Sequence, residues 1–424
     1  MKIDWKDNFY IAGTESSPDK DETLKPEKLR PKIEPWLTAL VQAEHLAVLV
    51  GNGLTKGVAS IAKATVAEMN VFNTKILTEE IKTAMAKSAE RSGRSKANLE
   101  DQVRVINEVV RGLEILKDKR SLKLKEELDA ALNAFLKAVC NAERGIREGG
   151  EAGVPRSAAH YLQSFLLSFA SRAPSRERLH LFTTNYDRLI EYAADFAGLR
   201  IIDRFVGALS PRFSSSRVDI DMHYNPPGIR GEPRYLEGVI RVTKLHGSID
   251  WQVDGRDIVR IPLPFGAEEG HPGLPKQVAG TVMIYPNEAK DRETAEYPYV
   301  ELFRDYAAAV CQPNSVLCTY GYGFGDEHIN RVITDMLEIP STHVLIIAYT
   351  DPEKRIQNFC SDLGRPAQLS ILFGEHFGKL ETLVDYYLPK AALDLATSRL
   401  IEIKKDRQAL KEPHEDNSAE GVKT

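Results

Sequence analysis

The stretches Leu179-His-Leu-Phe-Thr-Thr-Asn-Tyr-Asp187 and Val242-Thr-Lys-Leu-His-Gly-Ser-Ile-Asp-Trp251 decide how this chain is read. Each is a short apolar, β-prone run that ends in small polar residues, as expected of a buried strand that delivers side chains to its carboxyl end. Open parallel sheets bind ligands at that edge. Taken singly, Asn185 is equally explained as a turn residue and His246 as a structural imidazole. The rest of the chain bears on that choice.

Working outward, His45-Leu-Ala-Val-Leu-Val50 is the first strand candidate, and it runs into Gly51-Asn52-Gly53-Leu54-Thr55. After Arg178, strands and helices alternate. Strands are expected at Leu179–Thr183, Arg200–Asp203, Val239–Leu245, Thr281–Tyr285, Ser315–Tyr320, Val344–Tyr349 and Gln368–Phe373, with helices at Arg188–Phe196 and Glu375–Leu388. This alternation predicts an α/β fold with a doubly wound, Rossmann-like parallel sheet. Between the first two strands, from about 59 to 170, Ala, Leu, Lys, Glu and Arg dominate. Apolar residues there recur at helical spacing, as in Val103, Ile106, Val110 and Leu113, so a helical insertion is expected. Asn98-Leu-Glu-Asp101 reads as a capping box at the head of one helix. The expected division is an N-terminal arm and helix over 1–44, a nucleotide-binding domain over 45–390, and a C-terminal helix with a polar tail over 391–424. The arm includes a polar stretch from about Gly13 to Arg30, and Gly149-Gly150 with Gly153-Val-Pro155 punctuates the insertion.

Composition narrows the function. The 424 residues are 42% hydrophobic and carry a net charge of −5, enough for a large core without bulk attraction to phosphate backbones. Intrinsic nucleic-acid binding is not expected. There is no apolar run of transmembrane length and no signal-peptide core at Met1-Lys-Ile-Asp-Trp-Lys, so no membrane partner and a cytoplasmic location are expected. Cys140, Cys311, Cys318 and Cys360 form no CxxC pair and read as reduced, mostly buried thiols rather than metal ligands.

Four clusters carry chemistry. A Gly51-Asn52-Gly53 turn after a strand lets backbone approach a diphosphate, although the full dinucleotide fingerprint and the lysine-serine ending of an NTPase loop are both missing. Thr183, Thr184, Asn185 and Asp187 offer hydroxyl, amide and carboxyl groups at one strand end, with Asp187 or Asn185 also placed to cap the next helix. His246, followed by Gly247 and Ser248, brings a group whose protonation suits proton transfer. Gly321-Tyr322-Gly323-Phe-Gly-Asp326-Glu-His328 is a glycine-rich βα turn capped by Asp326. Asp326 with His328, lacking a third ligand, makes a poor metal site.

Taken in this order, the four clusters resemble the sirtuin superfamily, and more closely the bacterial sirtuin-like NAD-consuming proteins of antiphage defence. The resemblance spans about 45 to 390 and implies a sirtuin-type fold with NAD+ as substrate. It implies that Gly51–Thr55 cradles the diphosphate and that Asn185 sits beside the nicotinamide ribose. It makes His246 the general base, and gives the loop from Gly321 to the adenosine-side ribose and phosphate. Thr183, Thr184, Asp187, Gly247, Ser248, Tyr322, Gly323, Asp326 and His328 complete the implied binding set. Two departures matter. The four-cysteine zinc module of deacylating sirtuins has no counterpart in the cysteine-free segment 252–280, so no zinc is expected. The Gly-Ile-Pro-x-Phe-Arg segment after the first glycine loop is also missing. The expectation is therefore an NAD+ glycohydrolase, with protein deacylation, ADP-ribosyl transfer and non-catalytic NAD or ADP-ribose sensing as alternatives. Similar defence proteins are homo-oligomers, some working beside a hexameric HerA-like ATPase, and both partners are implied here.

Overall fold

The structure, a computed structural model, describes residues 5, 7–13, 15–16, 24–91, 95–149, 157–173, 175–215, 221–224, 234–275, 277–278, 282–284 and 297–390. The expected C-terminal helix and tail, residues 150–156 of the glycine-punctuated segment, and residues 14 and 17–23 of the polar arm lie outside these.

His45–Val50, the first long apolar run, is the middle of the seven parallel strands in a sheet that has nine strands among the described residues. On one side follow His180–Thr183, Val239–Lys244 and Arg200–Ile202; on the other, Ser315–Tyr320, His343–Ala348 and Leu369–Phe373, all parallel. The chain builds outward from His45–Val50 in one direction and then returns to its other side at Ser315–Tyr320. The carboxyl ends of these two strands therefore form the topological switch point, where an open α/β sheet has its crevice.

Alternation along the strands makes two cores. Leu46, Val48, Val50, Leu181, Ile240, Cys318 and Ile347 pack under helices Pro26–Val41, Asn52–Ala62, Ala158–Ala170 and Leu189–Ala197. Ala47, Leu49, Phe182, Leu317 and Ile346 face Tyr299–Val310, Glu327–Leu337 and Arg355–Leu363. A third core joins helices Thr78–Arg91, Leu99–Ile115 and Arg120–Glu148, which lie in the chain between His45–Val50 and His180–Thr183. The Asn98–Asp101 capping box is formed, and Asp101 also accepts a hydrogen bond from the Ser88 hydroxyl.

Several expectations are corrected. Thr281–Tyr285 is not a strand of the parallel sheet: Val282–Ile284 pairs antiparallel with Gly247–Asp254 in a second, five-stranded sheet. A parallel neighbour needs a crossover, but Gly247, at φ +88°, turns the chain out of the sheet at once. Gly247–Asp254 then pairs with Asp257–Arg260 across Gly255, at φ +64°, so Asp254-Gly255 is the hairpin signal in the sequence. The N-terminal residues are not merely an arm. Phe9–Ala12 adds an antiparallel strand beside Leu369–Phe373, Tyr10 is wholly buried, and the Trp36 indole donates to the Ser370 hydroxyl at 2.8 Å. Residues 26–30, expected in that arm, open a helix with Pro26 in its first turn. The single helix expected over Glu375–Leu388 is broken at Lys379, whose backbone is extended, into Glu375–Gly378, Leu380–Thr382 and a wider turn at Leu383–Tyr387.

At the switch point the two glycine turns touch. The Gly53 N–H donates to Gly321 O at 3.0 Å, and the Gly51 N–H donates to Tyr320 O at 3.1 Å. A Cβ on Gly51 would sit 2.6 Å from Gly321 O, and one on Gly321, whose φ is +60°, would sit 2.5 Å from Gly53 Cα. No side chain fits either gap without moving backbone. Gly321→Ala is expected to destabilise the fold by about 1–3 kcal/mol, combining the φ penalty with overpacking. Chemical denaturation measures this, and a wild-type midpoint would contradict the contact.

Candidate active site

Asn185 is fixed by its neighbours. Its backbone N–H donates to Thr183 Oγ1, and its Nδ2 donates to both Gly51 O and Thr55 Oγ1, each at 3.0 Å. With both amide hydrogens used, Asn185 has its Oδ1, an acceptor, to offer a ligand. The Thr55 hydroxyl donates in turn to Asp187 Oδ2 at 2.6 Å, while Asp187 Oδ1 accepts from the Leu189 N–H. Asp187 thus steadies the start of the helix from one residue before its cap, since the N-cap position is Arg188.

Arg188 anchors the same segment from below. It shares a buried pair of bonds with Glu143 of the long Arg120–Glu148 helix, at 3.1 and 2.5 Å, and donates to the carbonyls of Leu263 and Pro264. Burial pushes the Glu143 carboxyl up, and the Arg188 guanidinium opposes that shift. Breaking such a pair is costly because it strands a buried charge. The buried Lys244 ammonium donates to Asp187 O and lies 3.2 Å from Glu191.

His246 occupies the turn between Val239–Lys244 and Gly247–Asp254, with Leu245 N–H donating to Thr183 O and Ile249 N–H to Tyr186 O. These bonds place it beside the Asn185 segment. Its imidazole is nearly buried, and its Nε2 lies 3.3 Å from Asp326 Oδ2. Asp326 is at the N-cap position of Glu327–Leu337, but its side chain makes no capping bond. The expected cap is thus replaced by a carboxylate facing a histidine, which stabilises the cation that the imidazole becomes on taking a proton.

A cleft of about 850 Å³ opens above the switch point. Gly51, Asn52, Gly53, Thr184, Gly321, Tyr322, Gly323, Asp326 and His328 line it. Leu54, Thr55, Thr183, Gly247 and Ser248 are supporting residues instead: Leu54 is core, and the Ser248 hydroxyl donates to Tyr186 O at 3.4 Å. Asn185 and His246 sit directly behind the lining. The backbone amides expected to cradle a diphosphate are largely engaged. Besides Gly51 and Gly53, the Leu54 N–H donates to Gly51 O and the Gly321 N–H to Ile347 O.

Sequence reasoning missed Lys56, Lys96, Asn98, Glu100, Tyr349, Arg355 and Lys379, all of which line the same cleft. Lys56 lies one turn beyond the glycine pair, and Tyr349 ends a strand that was identified, so both had a local signal. Lys96 and Arg355 had none. Glu353 joins their segments. Its Oε2 accepts from Arg355 Nε and Nη2 at 3.2 and 2.7 Å, and its Oε1 accepts from the Ser95 N–H at 2.9 Å and from the Ser95 hydroxyl. Glu353 and Lys354 both adopt left-handed backbone, at φ +58° and +57°, which non-glycine residues hold only when their surroundings impose it.

Among the described residues no group of three or more His, Cys, Asp or Glu side chains is placed to hold a metal ion. The four cysteines are free thiols, and burial raises Cys140 to about 11 and Cys360 to about 12. No described helix is long and apolar enough to cross a membrane.

Residues 179–364 match the family model described as a SIR2-like domain. The matched span contains Asn185, His246 and the Gly321–Asp326 loop, and the match supports a place for this chain among sirtuin-like proteins. A SIR2-like domain over this span suggests a sirtuin-type, NAD-related function. No curated protein matches the chain.

Glu353 supplies a pH test. The hydrogen bonds from Ser95 and Arg355 hold its carboxyl down at about 2. Its folded value lies below the ordinary glutamate value, so the Ser95 contact is at full strength above about pH 4.5 and weakens as pH falls towards 2. Hydrogen exchange at the Ser95 amide should stay protected at pH 4 relative to Glu353→Gln, and equal exchange in the two would remove the contact.

Proposed function

We propose that the chain cleaves the nicotinamide–ribose bond of NAD+ to give nicotinamide and ADP-ribose, with water as acceptor. The observation that carries this reading is that Asn185, hydrogen-bonded to Gly51 O, and His246, 3.3 Å from Asp326, each lie against a residue that lines the switch-point cleft. Water adds to C1′ of the ribose as the C1′–N bond breaks, and the bonding pair neutralises the pyridinium nitrogen. The transition state is rich in positive charge on the ribose, so positioning of water and ribose does much of the work. In this reading Asn185 Oδ1 accepts from a ribose hydroxyl or the water. His246 takes the water proton, and the Asp326 carboxylate supports the resulting imidazolium.

The wider reading extends the family resemblance. The protein acts as a homo-oligomeric effector of antiphage defence that depletes NAD+, held in check by assembly and working with a HerA-like ATPase. A monomer at micromolar concentration with full activity alone would remove the assembly part.

The reaction is tested by incubating the purified chain with NAD+, with and without an acylated peptide, and separating the products. Nicotinamide and ADP-ribose without peptide support hydrolysis. Peptide-dependent acyl-ADP-ribose supports deacylation, ADP-ribosylated peptide supports transfer, and binding without turnover supports a sensor. His246→Ala is expected to lower turnover by about 10²–10⁴-fold, and Asn185→Ala to abolish it with the fold retained by circular dichroism. Undiminished turnover in both variants sinks the assignment.

A further inference from the structure

The engaged amides at the switch point have a consequence for any anionic ligand. In a glycine-rich βα turn, free N–H groups ordinarily meet phosphate. Here the Gly51, Gly53, Leu54 and Gly321 N–H groups all donate to backbone carbonyls. With these four amides engaged, more of the negative charge of a ligand in this cleft falls to side chains.

The cleft has them. Lys56, Lys96, Arg355 and Lys379 line it, and among the described residues no ion pair engages any of its three lysines. Several lining carboxylates have other roles: Asp326 faces His246, Glu100 accepts from the Tyr186 hydroxyl, and Glu375 is hydrogen-bonded to Tyr349. Two of the cations are placed by one group. Glu353 holds the Nε and Nη2 of Arg355, and a Cβ on Gly325 would lie 2.6 Å from Arg355 Nη1. The guanidinium thus lies close against the second glycine loop, and a side chain at Gly325 would have to displace it. The other oxygen of Glu353 holds Ser95, the residue before Lys96, at the edge of the helical segment.

We propose that Arg355 and Lys96 form a side-chain clamp for the diphosphate of the bound dinucleotide, set by the Ser95–Glu353–Arg355 contact. This rests on the reading of the cleft as an NAD+ site and replaces the backbone cradle with a bridge between the helical segment and the segment following His343–Ala348. Arg355 offers a planar fork already oriented, and Lys96 adds an exposed point charge. Glu353 is a positioning residue that does not itself touch the ligand.

The test is calorimetric titration of the full chain with ADP-ribose, alongside steady-state kinetics with NAD+. Lys96→Ala and Arg355→Gln should each weaken ADP-ribose about tenfold or more, as expected for loss of a charge-assisted bond, and should raise KM for NAD+. Glu353→Gln should weaken binding through both cations. Affinity of the variant carrying both Lys96→Ala and Arg355→Gln should depend less on salt than that of the wild type. Lys96 is an exposed side chain, so its variant tests the clamp even if Arg355→Gln perturbs its loop. Wild-type affinity in both single variants, with salt dependence unchanged, overturns the clamp and leaves the NAD+ reading standing. A wild-type chain that neither binds ADP-ribose nor consumes NAD+ overturns both.

Discussion

The rest of the site depends on the contact of Gly53 and Gly51 with Gly321. Two strands distant in sequence end side by side at the switch point, and their turns approach until no Cβ fits between them. That approach brings the Asn52–Ala62 helix and the Gly321–Asp326 loop to one crevice. It also spends the amides that such turns usually present to phosphate. One steric fact thus fixes where the cleft lies and limits how it can hold an anion.

Around that contact the polar residues divide into layers. Thr183, Thr55, Asp187 and Lys244 bond to one another and to backbone, and they hold Asn185 in a single orientation. Arg188 and Glu143 then tie this segment to the longest helix, so the helical unit and the site are mechanically joined. A buried ion pair is weak evidence of stability in its own right. Its consequence here is geometric: the Arg120–Glu148 helix is tied to the chain three residues after Asn185 and one residue after Asp187.

The histidine illustrates how much of a site belongs to the fold. Val242–Trp251 marks His246 as a polar group after a buried strand, and that reading holds. Its partner comes from a loop 80 positions later, whose acidic residue looks like a helix cap by every local rule. In the folded protein Asp326 leaves the capping bond unmade and faces the imidazole instead. Local propensity gives way where a tertiary partner offers a charge-assisted contact.

The sequence by itself determined the parallel sheet, its strand ends and the polar groups on them, because buried strands and helical faces write their periods locally. Asn185, His246 and the glycine turns were legible for that reason. The antiparallel hairpin after Gly247 and the N-terminal strand Phe9–Ala12 were not, since short strands are specified by their partners more than by themselves. Tertiary structure alone decided that Asp326 meets His246, that the Gly51, Gly53 and Gly321 amides are engaged, and that Lys96 and Arg355 share one cleft. Each joins positions tens to hundreds of residues apart, and no local pattern encodes a distance that only packing sets.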